Sequence, residues 1–126
     1  MINRWYITEH AVLRFQMRVA PSFSAAKCQR LLNSLQWEAD TCFVTDLTGS
    51  AIDYYIDWLP GVTFRIRPEV KVNDNSIITN RPVLVTVVTD ERFDPAKSEI
   101  VLCRYLNDTF ISQRNQLHQI TEGVRL

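Results

Sequence analysis

The stretch that most constrains this chain is an amphipathic helix that the sequence predicts over residues 7–19. Thr8 is a suitable N-cap for it. The apolar residues recur at helical spacing on one side: Ala11, Phe15 and Val19. Basic residues recur at i, i+4 and i+8 on another side: His10, Arg14 and Arg18. The apolar side requires a core to pack on, and the basic side requires water, carboxylates or phosphate.

A second helix follows the first after a short link that contains Pro21, which ends the first helix. Ser24 is its predicted N-cap, and its apolar stripe has the spacing i, i+3, i+4 and i+7: Cys28, Leu31, Leu32 and Leu35. Because the link is short, the two helices form a hairpin, and we expect it to lie across one face of a sheet.

From Thr41 the apolar pattern changes to a period of two, which is typical of β-strands. It predicts strands over 41–47, 51–59 and 62–67, and the β-branched run over 83–89 predicts a strand inside the sheet. The second and third strands form a predicted hairpin with a three-residue loop, in which Gly61 is left-handed and Ile56 opposes Phe64. The same register predicts two outer-face pairs: Asp53 with Arg67, and Tyr55 with Arg65.

The remaining segments complete a single predicted domain over 1–126. Residues 70–82 are rich in turn formers and predict either a mobile loop or a small extra hairpin. Asp94 and Pro95 open a helix predicted over 95–121, with a strand over 99–106 as the open alternative. The fold class is therefore α+β: an N-terminal helical hairpin packed on an antiparallel four- to five-stranded sheet, with a C-terminal helix.

Charge and cysteine content limit the functional classes. The 126 residues carry 14 Lys and Arg against 14 Asp and Glu, so the overall charge gives no argument for nucleic acid. The three cysteines have no CxxC spacing and predict buried free thiols in a reducing compartment: Cys28, Cys42 and Cys103. No apolar run is long enough to cross a membrane, so we expect a cytoplasmic protein without a membrane partner.

Element order and two short motifs resemble the RelE superfamily of small toxins, and within it the phage- and plasmid-borne branch that includes BrnT. The first helix begins with a His-Ala pair at His10 and is followed by spaced arginines at Arg14 and Arg18. The strand run Val85-Thr86-Val87 is similar to the last strand of that branch. The resemblance covers residues 5–93 and implies a compact α+β domain, ribonuclease activity of the toxin kind and a cognate antitoxin.

Metal-free cleavage of RNA needs a proton-transfer group and cations that hold the charge developing on the phosphoryl oxygens. The predicted catalytic residues are His10, Arg14 and Arg65. The predicted substrate-binding residues are Arg18, Arg67 and Lys71. In the alternative interpretation these side chains are solvated surface, and the strand arginines pair with neighbouring side chains.

The second hypothesis is a protein-binding module without catalytic activity, such as a phage- or plasmid-encoded inhibitor or accessory protein, acting on a protein target. Balanced charge and an aromatic and acidic strand face favour it, with these binding residues: Asp53, Tyr55 and Trp58. Four carboxylates near strand ends could serve a hydrolase but are more typical of turns: Asp53, Asp57, Asp90 and Glu91. Neither His10 nor His118 has metal-ligand spacing, and no cofactor motif is present, so we predict no metal and no cofactor. The sequence leaves both a monomer and a homodimer open.

Overall fold

The computed structural model describes residues 4–44 and 51–124, with side chains described over 4–40 and 51–109. Helices and strands follow one another in this order: β1 (Tyr6–Ile7), α1 (Glu9–Arg18), α2 (Ala25–Leu35), β2 (Asp40–Val44), β3 (Ile52–Tyr55), β4 (Val62–Asp74), β5 (Ile77–Thr89) and α3 (Pro95–Val124).

The sheet has the strand order β1-β5-β4-β3-β2 over the described residues. β2, β3, β4 and β5 pair antiparallel, as predicted, whereas the two-residue β1 pairs parallel with β5 through Tyr6 with Val83 and Ile7 with Leu84. This parallel edge is fixed by Thr8, whose hydroxyl donates to the Leu84 carbonyl at 3.1 Å while the chain enters α1. The predicted α+β fold class is confirmed, with β5 inside the sheet.

The helical hairpin packs on one face of the sheet, as the sequence predicts. Thr8 and Ser24 cap α1 and α2 by accepting hydrogen bonds from Ala11 N and Lys27 N. The apolar stripes of both helices share one buried core with the inner face of the sheet, and its central side chains are these: Phe15, Leu31, Leu32, Leu35, Phe64, Ile66 and Leu84.

The predicted register between the second and third strands is wrong. β3 ends at Tyr55, and Tyr54 opposes Phe64 while Asp53 opposes Arg65. Ile56 pairs with no strand residue, because it is buried in the core and its carbonyl accepts from Leu59 N in a turn. The inner and outer faces were assigned correctly, since the shift is an even number of residues. The predicted left-handed conformation of Gly61 is confirmed, with a φ of 79°.

β4 and β5 extend well beyond their neighbours as a two-stranded ribbon. Pairing continues from Val70 with Arg81 to Asp74 with Ile77, so the turn-rich stretch is a hairpin rather than a loop. Its two-residue turn has positive φ at both residues, Asn75 and Ser76, as a type I′ turn requires.

α3 closes the fold at the other end of the sheet. Asp94 caps it by accepting from Lys97 N at 3.2 Å, and the alternative of a strand over 99–106 is wrong. Leu102 is buried in the common core, and Tyr105 stacks on Trp58 with ring centroids 5.0 Å apart. A long helix is favoured here because its first turns find apolar partners on the protein body.

Candidate functional site

The predicted catalytic face of α1 holds two of the predicted residues together. Arg14 Nε donates to His10 Nε2 at 3.3 Å, and the His10 side chain is exposed. Arg18 lies one turn further along and donates to the Val87 carbonyl of β5 at 2.9 Å. His10 and Arg14 thus form an exposed pair of a proton-exchanging group and a cation, while Arg18 ties the end of the helix to the sheet.

Arg65 lies on the other face of the sheet from α1. It alternates along β4 with Phe64 and Ile66, whose side chains share the core with α1, so Arg65 projects to the outer face. Arg65 Nε donates to Asp53 Oδ1 at 3.1 Å, and Asp53 is only 4% exposed. The described side chains contain no hydrogen bond that joins Arg65 to the His10 pair.

The predicted substrate-binding residues are dispersed. Arg67 follows Arg65 on the outer face of β4 and is exposed, and Lys71 is exposed on the ribbon. Arg18, on α1, is engaged with the β5 backbone. Arg67 and Lys71 therefore lie on β4 and its ribbon, away from the His10 and Arg14 pair on α1.

The predicted protein-binding residues line two adjoining cavities at one end of the sheet, where the connection between β3 and β4 meets the connection between β5 and α3. Asp53 and Tyr55 line the first cavity, of about 440 Å³, together with Asp57, Thr63 and Asp90. Its floor is formed by the buried residues of the β3–β4 connection and the start of β4: Ile56, Leu59 and Val62.

Trp58 lines the second cavity, of about 510 Å³. Its other walls come from the β5–α3 connection and the first turns of α3, and its apolar lining residues are these: Phe93, Pro95 and Val101. Pro60 and Arg92 line both cavities and form the wall between them. We call the two cavities and their shared wall the two-cavity surface.

Hydrogen bonds hold the shared wall in place. Asp90 N donates to the Gly61 carbonyl at 3.0 Å and joins the two connections. Arg92 donates to the Asp90 carboxylate from its backbone N at 2.9 Å and from Nη2 at 2.8 Å. These hydrogen bonds from Arg92 stabilise the charged carboxylate and so hold the pKa of Asp90 below its ordinary value.

Part of this surface was predicted from the sequence, and part was not. The four carboxylates noted near strand ends all line the surface. The first cavity contains Asp53, Asp57 and Asp90, and the second contains Glu91. The residues of the β5–α3 connection and of the first turn of α3 that complete the surface were not predicted, namely Arg92, Phe93 and Lys97. The available signal was a charged turn directly before a helix cap, which by itself is ordinary surface chemistry.

The described part of the chain contains no group of three or more His, Cys, Asp or Glu side chains arranged to hold a metal ion. Within the same residues, no helix is both long enough and apolar enough to cross a membrane. Cys28 and Cys103 are free thiols, and the side chain of Cys42 lies outside the described residues. Burial raises the pKa of the Cys28 thiol and makes it a poor nucleophile.

Comparison with protein-family models, with curated proteins and with solved structures found no match to this chain. The resemblance to the RelE superfamily therefore stays a prediction from its short motifs.

Proposed function

We propose that this chain is a protein-binding module and that the two-cavity surface is its docking site. The observation that carries the proposal is the presence of two adjoining cavities that share the wall formed by Pro60 and Arg92. Binding sites in proteins are concave and combine apolar or aromatic lining with a few polar groups that fix orientation. Both cavities combine apolar side chains with carboxylates, and the second adds the rings of Trp58 and Phe93.

The rigidity of the surface supports the same function. The Trp58 ring is stacked on Tyr105 at an interplanar angle of 32°, so it is ordered before a partner arrives. A preformed aromatic anchor loses little side-chain entropy on binding, which is a feature of residues that dominate interface energies. A buried free thiol at Cys28 is consistent with a reducing compartment, and we propose that the module acts in the cytoplasm.

The test is site-specific photocross-linking in cells that express the full chain. A photoreactive residue at Pro60, which is exposed and lies between the cavities, should give a discrete cross-linked product that Trp58→Ala or Tyr55→Ala removes. The same residue at Arg30, exposed on α2, is the matched control and should give none. Equal products from the two positions, or a product insensitive to both variants, would exclude the two-cavity surface as the docking site.

A second candidate is the metal-free ribonuclease that the RelE resemblance implies. The exposed His10 and Arg14 pair favours it, because an imidazole can transfer a proton and a guanidinium can bind a phosphate. The purified chain would then cleave RNA in EDTA, and His10→Ala would lower the rate by about 10² to 10⁴-fold. Intact RNA after incubation with the wild-type chain would exclude this candidate and leave the binding proposal standing.

A further inference from the structure

The chemistry of the two-cavity surface indicates what kind of protein segment it binds, if the proposed docking function holds. We infer that the partner presents a basic side chain, Lys or Arg, to the first cavity and an apolar or aromatic side chain to the second. Three features of the surface favour such a partner: the charges that remain after internal pairing, the aromatic lining, and the shared wall.

Internal pairing leaves the surface with an excess of negative charge. Asp53 is paired with Arg65, and Asp90 is paired with Arg92. Asp57 in the first cavity and Glu91 in the second make no ion pair or hydrogen bond within the described part of the chain. Asp94, which caps α3, adds a third carboxylate to the lining, and Lys97 is the cation that is left to balance the three. A cationic group is therefore attracted to the first cavity, which contains Asp57 and no unpaired cation among its lining residues.

The second cavity is lined by two aromatic rings, whereas the first has one, that of Tyr55. Trp58 and Phe93 present rings, and Pro60, Pro95 and Val101 complete an apolar wall. Large apolar side chains that fill such pockets supply most of the affinity in protein interfaces. Glu91 and Lys97 also line this cavity and are exposed, so they are suited to orientation rather than affinity, since exposed charges contribute little.

The shared wall sets the spacing of the two side chains. An extended segment presents residues i and i+2 on the same side, about 7 Å apart. Because Pro60 and Arg92 line both cavities, we expect two side chains on the same side of an extended segment to enter one cavity each. The phosphates of RNA do not fit the first cavity, whose carboxylates repel them.

The experiment is an NMR titration of the ¹⁵N-labelled full chain with capped pentapeptides of the form Gly-X-Gly-Z-Gly. The basic apolar probe has Arg at X and Trp at Z, and the matched probes replace Arg by Glu or by norleucine, or Trp by Ser. We expect saturable shifts at the amides of Asp57, Thr63 and Phe93 with the basic apolar probe. We expect each matched probe to have a dissociation constant at least about threefold higher, because each lacks one charge or one apolar side chain.

Two variants locate the charge. Asp57→Asn should weaken binding of the basic apolar probe by about two- to fivefold and make the affinity less dependent on salt. Asp74→Asn makes the same chemical change at the exposed tip of the ribbon and should leave the affinity unchanged. Equal weakening by the two variants would show a general charge effect and overturn the inference.

Failure of the inference is distinguishable from failure of the docking proposal. Equal or tighter binding of the Glu or norleucine probe at the same amides would overturn the basic preference but keep the docking site. If no peptide gives saturable shifts but the cross-link at Pro60 is specific, the basic preference is likewise overturned and the docking site is kept. Saturable shifts with a single-stranded RNA oligonucleotide alone, without a cross-linked protein at Pro60, would overturn both proposals.

Discussion

The backbone of Gly61 lies directly against the backbone of Phe93, with no space for a side chain between them. A Cβ on Gly61 would lie 2.6 Å from Phe93 Cα and 2.8 Å from the Arg92 carbonyl carbon. Real Cβ atoms do not approach backbone atoms so closely. This contact joins the β3–β4 connection to the β5–α3 connection. It therefore fixes the relative position of the two segments that form the two-cavity surface.

Gly61→Ala should therefore destabilise the protein for two reasons. The left-handed φ of 79° is unfavourable for a residue with a Cβ by about 1 to 2 kcal/mol, and the contact with Phe93 must also open. We expect a loss of at least about 2 kcal/mol in the free energy of unfolding, measured by urea titration. Pro60→Ala, at the exposed neighbouring residue, is the control and should lose about 1 kcal/mol or less. A Gly61→Ala loss no larger than that of the control would contradict this account of the contact.

The helices could be predicted from the sequence because their signals are local. A cap and an apolar stripe at i, i+3, i+4 and i+7 are contained in a few turns, and the caps at Thr8 and Ser24 form as predicted. The same locality explains Gly61, where the turn chemistry of Pro60-Gly61 requires a positive φ.

The hairpin register and much of the candidate site could not be predicted, because they depend on contacts between distant segments. Ile56 continues the alternation of its strand, but burial of Ile56 and Leu59 in the core bends the chain out of the sheet after Tyr55. Arg92 and Phe93 reach Gly61 because β4 and β5 pair at this end, with Val62 opposite Thr89. No local pattern contains that information.

Core packing predicts which residues of the helical hairpin are sensitive to truncation. Phe15 is fully buried and Leu32 is 1% exposed, so Phe15→Ala and Leu32→Ala each leave a cavity. Each change should lower the free energy of unfolding by about 2 to 5 kcal/mol in thermal or urea denaturation. Leu13→Ala, on the exposed side of α1, is the matched control and should lose less than about 1 kcal/mol. Comparable losses at Leu13 and Leu32 would be inconsistent with this packing.

The ribbon offers a comparison between a buried and an exposed aliphatic side chain on paired strands. Val72 is 7% exposed, whereas Ile78 on the facing strand is 68% exposed. Val72→Ala should lower the unfolding free energy by about 1 to 2 kcal/mol, and Ile78→Thr should change it by no more than about 0.5 kcal/mol. Amide hydrogen exchange near the ribbon turn should likewise be accelerated more by Val72→Ala than by Ile78→Thr. A larger loss of unfolding free energy from Ile78→Thr than from Val72→Ala would contradict this burial pattern.

Alkaline pH should destabilise the contact between α3 and the protein body through Tyr105. Burial raises the pKa of Tyr105 above its ordinary value, and the nearby Glu38 carboxylate raises it further. A raised pKa means that the folded state holds the phenol proton more tightly than the unfolded state does. The associated stability is fully present below about pH 10 and is lost as the pH rises through the folded-state pKa.

Tyr105→Phe tests this linkage, because it keeps the ring stacked on Trp58 and removes the titrating group. The variant should lose less unfolding free energy than the wild type between about pH 9 and pH 11. Tyr55→Phe, at an exposed ring, is the control and should keep the wild-type slope. Identical slopes for all three proteins would show that Tyr105 does not contribute to the alkaline transition.

The pairing of Arg65 with Asp53 predicts that Arg65 is a stability residue, whether or not it also has a function. Asp53 is 4% exposed, so Arg65→Met leaves a buried carboxylate without its guanidinium partner. Breaking a fully buried pair costs about 3 to 5 kcal/mol, and the 38% exposure of the Arg65 side chain reduces the expected loss to about 1 to 3 kcal/mol. Arg67→Met, at the next outer-face position of β4, is exposed and should lose less than about 0.5 kcal/mol.

A double-mutant cycle isolates the Arg65 pair. Asp53→Asn removes the charge that Arg65 balances, so adding Arg65→Met to Asp53→Asn should destabilise less than Arg65→Met does in the wild type. We expect a coupling of at least about 0.5 kcal/mol from urea unfolding of the four proteins. The same variants test the ribonuclease candidate. Arg65 has a catalytic role only if Arg65→Met lowers RNA cleavage more than Asp53→Asn does. Additive effects would show that the two side chains contribute to stability independently.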